Sequence, residues 1–311
     1  MKPICFYHVA DLDGKCSAAI VHHALKGEVE LIGIDYGWKF PWDKVQGREV
    51  IVVDFSLQPF SDMIRLKSEA KSLTWIDHHK SAILEYEQWA DGLAKALGAN
   101  PKIEGVREIG IAGCELTWMW FESHGLVKGP PPLAVKLLGR YDVWDEECKE
   151  FSWATQILPF QYGMRNRDHD PNADVWDVLL APGGKDLVNI ITAIGITILL
   201  YEDRQNALYV KVCAFPSYLD GRPVLACNKA LANSRLFDSV WDPEKYHMMA
   251  AFYLQKRGTW KVSLYTTRED VDVSEVAKAH GGGGHKKAAG FIYPTCPFQC
   301  VQEPSKEPDG A

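Results

Sequence analysis

The sequence lacks the features typical of a secreted protein or of a structural zinc site. None of its eight cysteines forms a C-x-x-C pair, and no second pair of cysteines or histidines accompanies Cys296 and Cys300. A structural zinc pattern is therefore missing. Scattered cysteines in a chain of this length are typical of reduced thiols in the cytosol. The N-terminal residues show no secretory signal, so we expect a cytoplasmic protein.

The chain also lacks a long apolar run and an excess of basic residues. Its longest apolar stretch, residues 187–201, is interrupted by polar side chains and is too short to cross a bilayer. Lys and Arg number 34 against 41 Asp and Glu, a net charge of −7. Proteins that coat long duplexes usually present a basic surface. We therefore expect neither membrane insertion nor stable binding of long duplexes, whereas a small anion held by a local metal cluster fits.

Apolar stretches with strand and helix character alternate through the first part of the chain. Helices are predicted at residues 17–25 and 59–69, and residues 11–15 are predicted to form a polar turn. The predicted strands are residues 3–9, 29–34, 49–53 and 72–76. This alternation predicts an α/β domain with a mostly parallel sheet.

The rest of the chain predicts a linker and a smaller domain. Residues 158–184 are rich in Gly, Pro, Asn and Asp and are predicted to be irregular. Residues 212–293 contain strands, two hairpin turns and a helix with Ser274 as its N-cap, and therefore predict a mixed α/β domain. The predicted division is 1–184 for the first domain, 185–211 for a linker helix, 212–293 for the second domain and 294–311 for a flexible tail.

Acids and imidazoles collect where predicted strands and helices end. They are His8, Asp11, Asp13, Asp54, Asp77, His78, His79 and Asp142. Ligands of open α/β sheets bind at the carboxyl ends of the strands, so separate segments deliver these side chains to one edge. Carboxylates suit hard divalent ions, and imidazole adds affinity for manganese, cobalt, iron or zinc. Two such ions need a bridging carboxylate and several terminal ligands.

These segments resemble the motifs of the DHH phosphoesterase superfamily, in the same order. Residues 8–14 read His-Val-Ala-Asp-Leu-Asp-Gly and resemble its first motif, residues 52–54 its second, and Asp77-His78-His79 its third. Asp142 resembles the single aspartate of the fourth. The superfamily includes RecJ-type exonucleases, oligoribonucleases, cyclic-dinucleotide phosphodiesterases, exopolyphosphatases and family II pyrophosphatases. The resemblance covers residues 4–293.

The resemblance implies a role for each of these side chains. His8 and Asp11 would bind one ion, Asp54 would bridge, and Asp13, His78 and Asp142 would bind the other. Asp77 and His79 would be catalytic: Asp77 would orient the His78 region, and His79 would face the substrate phosphate. The implied cofactors are two divalent ions, with manganese favoured and magnesium or cobalt as alternatives. Asp145 is a second candidate for the fourth motif, and Asp35 is a weaker candidate for a metal ligand.

A glycine run near the end of the second domain resembles a second family element. Residues 281–291, Gly-Gly-Gly-Gly-His-Lys-Lys-Ala-Ala-Gly-Phe, are similar to the glycine-histidine element of the DHH-associated C-terminal domain. The implied substrate-binding residues are Gly282, Gly283, Gly284, His285 and Lys286, whose N–H groups and charges suit a phosphate. Family II pyrophosphatases have a different second domain, so this element argues against that branch.

One arginine of the family pattern is missing. Many members carry Ser-x-Arg-Ser on the preceding strand, and this chain has Tyr265 and Thr266 near that arginine's place. Arg257 and Arg268 are the candidates to replace it.

The expected activity is hydrolysis of phosphodiester or phosphomonoester bonds in short oligonucleotides or nucleotides, by a water that two metal ions activate. An exopolyphosphatase and a catalytically inactive nucleotide-binding sensor are the alternatives. A homodimer is compatible with the sequence, which does not determine the oligomeric state.

Overall fold

The computed structural model describes residues 1–97 and 102–301, and the chain divides into two compact units, Met1–Leu199 and Leu200–Ala311. The first unit contains β1 (Ile4–His8), α1 (Leu12–Ala24), β2 (Glu30–Ile34), β3 (Glu49–Val53), α2 (Ser61–Glu69), β4 (Ser72–Ile76), α3 (Lys80–Leu97), α4 (Gly113–Ser123), α5 (Leu133–Asp142), α6 (Leu158–Arg165), α7 (Val175–Leu179) and the start of α8 (Lys185–Cys213). Helix α8 continues across the boundary between the units.

The sheet of the first unit has the order β2-β1-β3-β4, and all its strands run parallel. Side chains alternate between the two faces of a strand. In β1, Cys5 and Tyr7 join a core that includes α1, α4 and α5, whereas Ile4 and Phe6 join a core that includes α2. Both faces are therefore covered, which explains why these strands have continuous apolar sequences.

The second unit contains β5 (Ala214–Leu219), β6 (Arg222–Asn228), β7 (Met248–Leu254), β8 (Trp260–Tyr265), α9 (Val273–Ala279), β9 (Gly283–His285) and β10 (Ala288–Tyr293). Its sheet has the order β5-β6-β7-β8-β10-β9, in which only β6 and β7 pair in parallel. A parallel-sheet part followed by a smaller mixed part confirms the predicted fold class.

Three local predictions are wrong. Residues 11–15 are not a turn, because α1 begins at Leu12 and Asp11 caps it by accepting a hydrogen bond from the Gly14 N–H at 2.9 Å. Residues 158–184 are not wholly irregular, since they contain α6 and α7. The N-cap of α9 is Asp272, whose Oδ1 accepts from the Ser274 N–H at 2.9 Å.

The start of the predicted flexible tail is packed. Phe298 is buried with its ring centroid 5.0 Å from that of Phe252, and the Ser217 hydroxyl donates to the Gln299 carbonyl at 2.8 Å. Residues 302–311 lie outside the described residues. The boundary between the two units falls inside α8, and the predicted limits at residues 184, 211 and 293 stay predictions.

In the described ranges, no helix combines the length and the apolar composition that crossing a membrane requires.

Two glycines allow α6 and α8 to approach closely within the first unit. A Cβ at position 195 would lie 1.7 Å from the Pro159 carbonyl oxygen, and a Cβ at position 163 would lie 2.1 Å from the Ile191 carbonyl oxygen. Neither partner is a flexible side chain, so the backbones themselves would have to separate.

We therefore expect Gly195→Ala to lower the free energy of unfolding by about 1–3 kcal/mol, the usual effect of overpacking. Urea denaturation of the full chain measures it. Gly92→Ala is the matched control, because Gly92 is also helical and a Cβ there meets nothing within 4 Å. Equal urea midpoints for the two variants would contradict the close approach of α6 and α8.

Candidate metal centre

The ends of three neighbouring strands meet at one edge of the parallel sheet. Strand β1 ends at His8, β3 ends just before Asp54, and β4 ends just before Asp77. Asp13 lies in the first turn of α1, directly after β1, and Asp142 is the last residue of α5. The parallel register is what brings segments so far apart in sequence to one place.

All six predicted metal ligands come together there. Their potential ligand atoms form three overlapping groups, each with atoms within 4.8 Å of one another. The groups are His8, Asp11 and Asp54; Asp54, His78 and His79; and Asp13, His78 and Asp142. Asp54 and His78 each belong to two groups, so the three groups share residues and form one centre.

The first half of the centre surrounds the His8 ring. Its Nδ1 lies 2.8 Å from Asp11 Oδ2 and 3.9 Å from Asp54 Oδ2. Its Nε2 lies 3.4 Å from Asp35 Oδ1. A carboxylate on the second nitrogen of a ligating imidazole orients the ring and determines its tautomer. Asp35, the weaker candidate for a metal ligand, is therefore placed to orient the His8 ring through its Nε2.

The second half surrounds the His78 ring. His78 Nε2 lies 3.2 Å from Asp54 Oδ1, 3.3 Å from Asp142 Oδ2 and 3.7 Å from Asp13 Oδ2. Asp145, the alternative to Asp142, instead lies 3.3 Å from Arg140 Nη1. The geometry thus favours Asp142 for the fourth motif.

Asp77 holds the third motif together. It is fully buried, and its Oδ1 accepts from the backbone N–H groups of His78 at 2.8 Å and His79 at 3.1 Å. The same oxygen lies 2.7 Å from His79 Nδ1. Its side-chain partner is therefore the ring of His79, whereas the sequence assigned it to the His78 region. With Nδ1 engaged, His79 has Nε2 left to meet a ligand.

Sequence reasoning missed the role of Gly113 at the start of α4. The N–H groups of Gly113 and Cys114 donate to Asp13 Oδ2 at 2.8 Å and Oδ1 at 2.9 Å. A Cβ at position 113 would lie 2.8 Å from Asp54 Cβ and 2.9 Å from Asp13 Oδ2. The start of α4 thus orients Asp13, which lies one hundred residues earlier, and only glycine leaves room for Asp54.

The backbone around the centre is unusual at two further positions. Asp54 has φ +53°, in the left-handed region that side chains rarely adopt. A Cβ at position 14 would lie 2.1 Å from the His8 carbonyl oxygen, so Gly14 allows α1 to start directly over the end of β1. Strained or crowded backbone of this kind concentrates at functional sites.

The centre carries more negative charge than its histidines can neutralise. Burial, followed by the charges of Asp13 and Asp11, raises the pKa of Asp54 well above its usual range. Burial and the same two charges raise the pKa of Asp142 to about 9. For His8, burial favours the neutral ring, but the hydrogen bond and charge of Asp11 outweigh it and raise the pKa.

The residues fit divalent cations. Asp54 is 1% exposed, and its Oδ1 accepts no hydrogen bond among the described residues, although His78 Nε2 lies 3.2 Å away. A buried carboxylate oxygen in this situation is costly unless a cation compensates it. The donor set of carboxylates and imidazoles is the one that manganese and related ions prefer.

In the second unit, part of the glycine run caps a helix. The Gly281 N–H donates to the Lys278 carbonyl at 3.0 Å, and the Gly282 N–H donates to the Ala277 carbonyl at 2.8 Å. The amide of Gly282 is therefore engaged at the end of α9, and substrate binding by Gly282 stays a prediction. A Cβ at position 282 would also lie 2.1 Å from the Gly290 carbonyl oxygen.

The remaining predicted substrate-binding residues lie along the edge of the second sheet. Gly283, Gly284 and His285 form β9, which pairs with β10. Gly284 has φ +146°, and a Cβ there would lie 2.5 Å from Ala289 Cα. Lys286 lies 3.5 Å from Glu269 on the exposed surface. Substrate binding by Gly283, Gly284, His285 and Lys286 stays a prediction.

Of the two candidate replacements for the missing arginine, Arg268 is already paired. Its Nη2 lies 2.7 Å from Asp270 Oδ2.

Residues 237–303 match the family model of the DHHA1 domain, which covers β7 to β10. Among solved structures, a DHH-domain protein described as a member of the s1p family of ribosomal proteins has a TM-score of 0.53 at 11% identity, over 96% of this chain and 82% of that one. Exonuclease RecJ bound to manganese has a TM-score of 0.47 at 14% identity, over 94% of this chain and 86% of that one.

Among curated sequences, the uncharacterized protein R106 of Acanthamoeba polyphaga mimivirus is 23% identical over 269 residues. The match covers 81% of this chain and 54% of the viral protein, so this chain spans about half the length of the curated relative that it matches.

The DHHA1 match over residues 237–303 and the fold likeness to a DHH-domain protein bear out the resemblance to the DHH superfamily that the sequence motifs indicate.

Gly113→Ala should weaken manganese binding by about 10–100-fold, the usual effect of losing a group that supports a ligand. The added methyl group would displace Asp54 or Asp13. Isothermal titration calorimetry measures the change, and Gly92→Ala again serves as the control. Unchanged affinity in Gly113→Ala would show that the acids do not bind the metal as arranged here.

Metal should stabilise the protein more at high pH than at low pH. The pKa of Asp142 in the folded, metal-free protein is about 9, so the folded state keeps a proton that the unfolded state loses near pH 4. The stability of the metal-free protein therefore falls as the pH rises from about 4 to about 9. The ion binds the deprotonated carboxylates, so protons compete less as the pH rises. The gain in Tm with saturating manganese should therefore be larger at about pH 8 than at about pH 6. An equal or smaller gain contradicts the assignment.

Proposed function

We propose that this chain is a metal-dependent phosphoesterase that hydrolyses phosphodiester or phosphomonoester bonds of short oligonucleotides or nucleotides. The single observation that carries the proposal is the position of Asp54, a buried carboxylate shared by two groups of potential ligands. A bridging carboxylate between two ions is the hallmark of two-metal phosphoester hydrolysis.

In this proposal His8 and Asp11 would hold one ion, and Asp13, His78 and Asp142 would hold the other. Asp54 would be shared between them, since its carboxylate lies 3.9 Å from His8 Nδ1 and 3.2 Å from His78 Nε2. When bound, such a pair of ions activates a water molecule and neutralises charge on the phosphoryl oxygens. Manganese is the proposed ion, since imidazole ligands suit it better than magnesium, with cobalt as an alternative.

His79 is the proposed catalytic imidazole, and Asp77 is its positioning partner. Burial favours the neutral ring, but the hydrogen bond and charge of Asp77 outweigh it and raise the pKa of His79. Asp77 engages Nδ1 of the ring, which leaves Nε2 to face the substrate. A protonated ring held in this way would donate from Nε2 to a phosphoryl oxygen as negative charge builds there.

A catalytically inactive nucleotide sensor is less well supported than an enzyme. A protein that had lost its catalytic metals would have no use for four clustered carboxylates, where burial and mutual repulsion raise the pKa of Asp54 and Asp142. An exopolyphosphatase would use the same metal centre and would differ from the proposed enzyme only in its substrate. A cytoplasmic location and a homodimer stay predictions.

A substrate panel tests the proposal. The purified full chain with manganese is offered short RNA and DNA oligomers, nucleotides, a cyclic dinucleotide and polyphosphate, and released products are measured. We expect hydrolysis of at least one nucleotide-containing substrate. Hydrolysis of none of them would refute the proposal, and hydrolysis of polyphosphate alone would replace it by the exopolyphosphatase.

Asp54→Asn should lower that activity by roughly 100-fold or more, since it removes the shared ligand. Thermal unfolding without metal should show equal or higher stability, because the variant removes a carboxyl group whose ionisation is opposed by burial and by the neighbouring charges. Asp91→Asn, on the exposed surface of α3, is the control that should retain activity. Retained activity in Asp54→Asn would remove the bridging role.

A further inference from the structure

An aromatic pocket lies beside the metal centre, at the carboxyl end of β2. Its volume is about 220 Å³, and its wall includes Asp35, Tyr36, Trp38, Phe40 and Phe55. A cavity of this size is below the range of roughly 300–1,000 Å³ that is usual for whole drug-sized ligands. It therefore suits one flat ring system and not an entire nucleotide.

The loop after β2 is built to present its aromatic side chains. Asp35 Oδ1 accepts from the Tyr36 N–H at 2.7 Å, and the Asp35 carbonyl accepts from the Trp38 N–H at 3.1 Å. Gly37 between them has φ +81°, the left-handed conformation that glycine adopts without strain. Trp38 remains 62% exposed, which is unusual for so large an apolar side chain.

The pocket adjoins the residues proposed to bind metal. The Tyr36 ring lies edge-on to the His8 ring, with centroids 5.6 Å apart, and 4.6 Å from the Phe55 ring. Phe55 directly follows Asp54 in the chain. Burial, followed by the charges of Asp77 and Asp54, raises the pKa of Tyr36 to about 12, so Tyr36 lies within electrostatic reach of the same acids.

The chemistry of the wall favours a nucleobase over a polyanion. Lys39 is its one cation, and Asp35 opposes that charge. A chain of phosphates needs several cations or N–H donors along its length, whereas aromatic faces stack on the flat ring of any base. The polar edges of a base could meet Asp35, Lys39 and Gln58 at the rim.

We propose that the pocket formed by Tyr36, Trp38 and Phe55 binds a nucleobase of the substrate. The proposal rests on the proposed function and sharpens it: the phosphoester that is cut belongs to a nucleoside, and inorganic polyphosphate is not the substrate. Trp38 and Tyr36 then select a substrate that carries a base, through stacking and without contact to the reacting atoms.

Binding of nucleosides tests the pocket independently of hydrolysis. Adenosine, guanosine, cytidine and uridine, with ribose as the base-free control, are titrated into the full chain by calorimetry. None of these probes contains a phosphoester, so the result does not depend on enzyme activity. We expect at least one nucleoside to bind at least about tenfold more tightly than ribose, the size of effect that one stacked base supplies.

Trp38→Ala should weaken the binding of that nucleoside by about tenfold, and Trp38→Phe should retain most of it, because phenylalanine also stacks. The fold should tolerate both variants, since Trp38 is exposed. Tyr218→Ala, which removes an exposed aromatic side chain of the second unit, should leave binding unchanged.

Equal binding of ribose and all four nucleosides would overturn the proposal, as would unchanged nucleoside binding in Trp38→Ala. Failure of the substrate panel with intact nucleoside binding would overturn the proposed function and leave the pocket standing.

Discussion

The buried carboxylate of Asp54 is the constraint on which the rest of the first unit depends. It lies in a left-handed backbone conformation, almost without solvent exposure, and is repelled by Asp13, Asp11 and Asp142. A folded chain retains such an arrangement only where other interactions compensate for it. The parallel strands bring the acids together, and the close approaches at Gly14 and Gly113 hold them there.

The supporting residues show how the charges are kept in place. The start of α4 donates two N–H groups to Asp13, Asp11 caps α1, and Asp77 accepts three hydrogen bonds around the third motif. Asp35 lies next to a ring nitrogen of His8, as Asp77 lies next to a ring nitrogen of His79. Each carboxylate thus orients either a helix or an imidazole, and the repulsion among the acids is what a divalent cation would relieve.

Much of the fold could be predicted from local patterns. The strands that end at His8 and before Asp54 and Asp77 are short apolar runs with abrupt polar ends. Such signals can be recognised in the sequence alone. The turn predicted after His8 was wrong because Asp11 can begin a turn or cap a helix, and only packing decides between them. The hydrogen bond from the Gly282 N–H to the end of α9 could not be predicted, because glycine runs look alike whether they bind an anion or cap a helix.

The sequence by itself determined which chemical groups the protein carries, their order, and the strand ends that deliver them. Only the tertiary structure decided which groups meet. The pairing of Gly113 with Asp13, the approach of Asp142 to His78 and the aromatic pocket beside His8 all depend on distances between segments far apart in the chain. Such distances follow from the register and packing of the sheet, which no local pattern encodes.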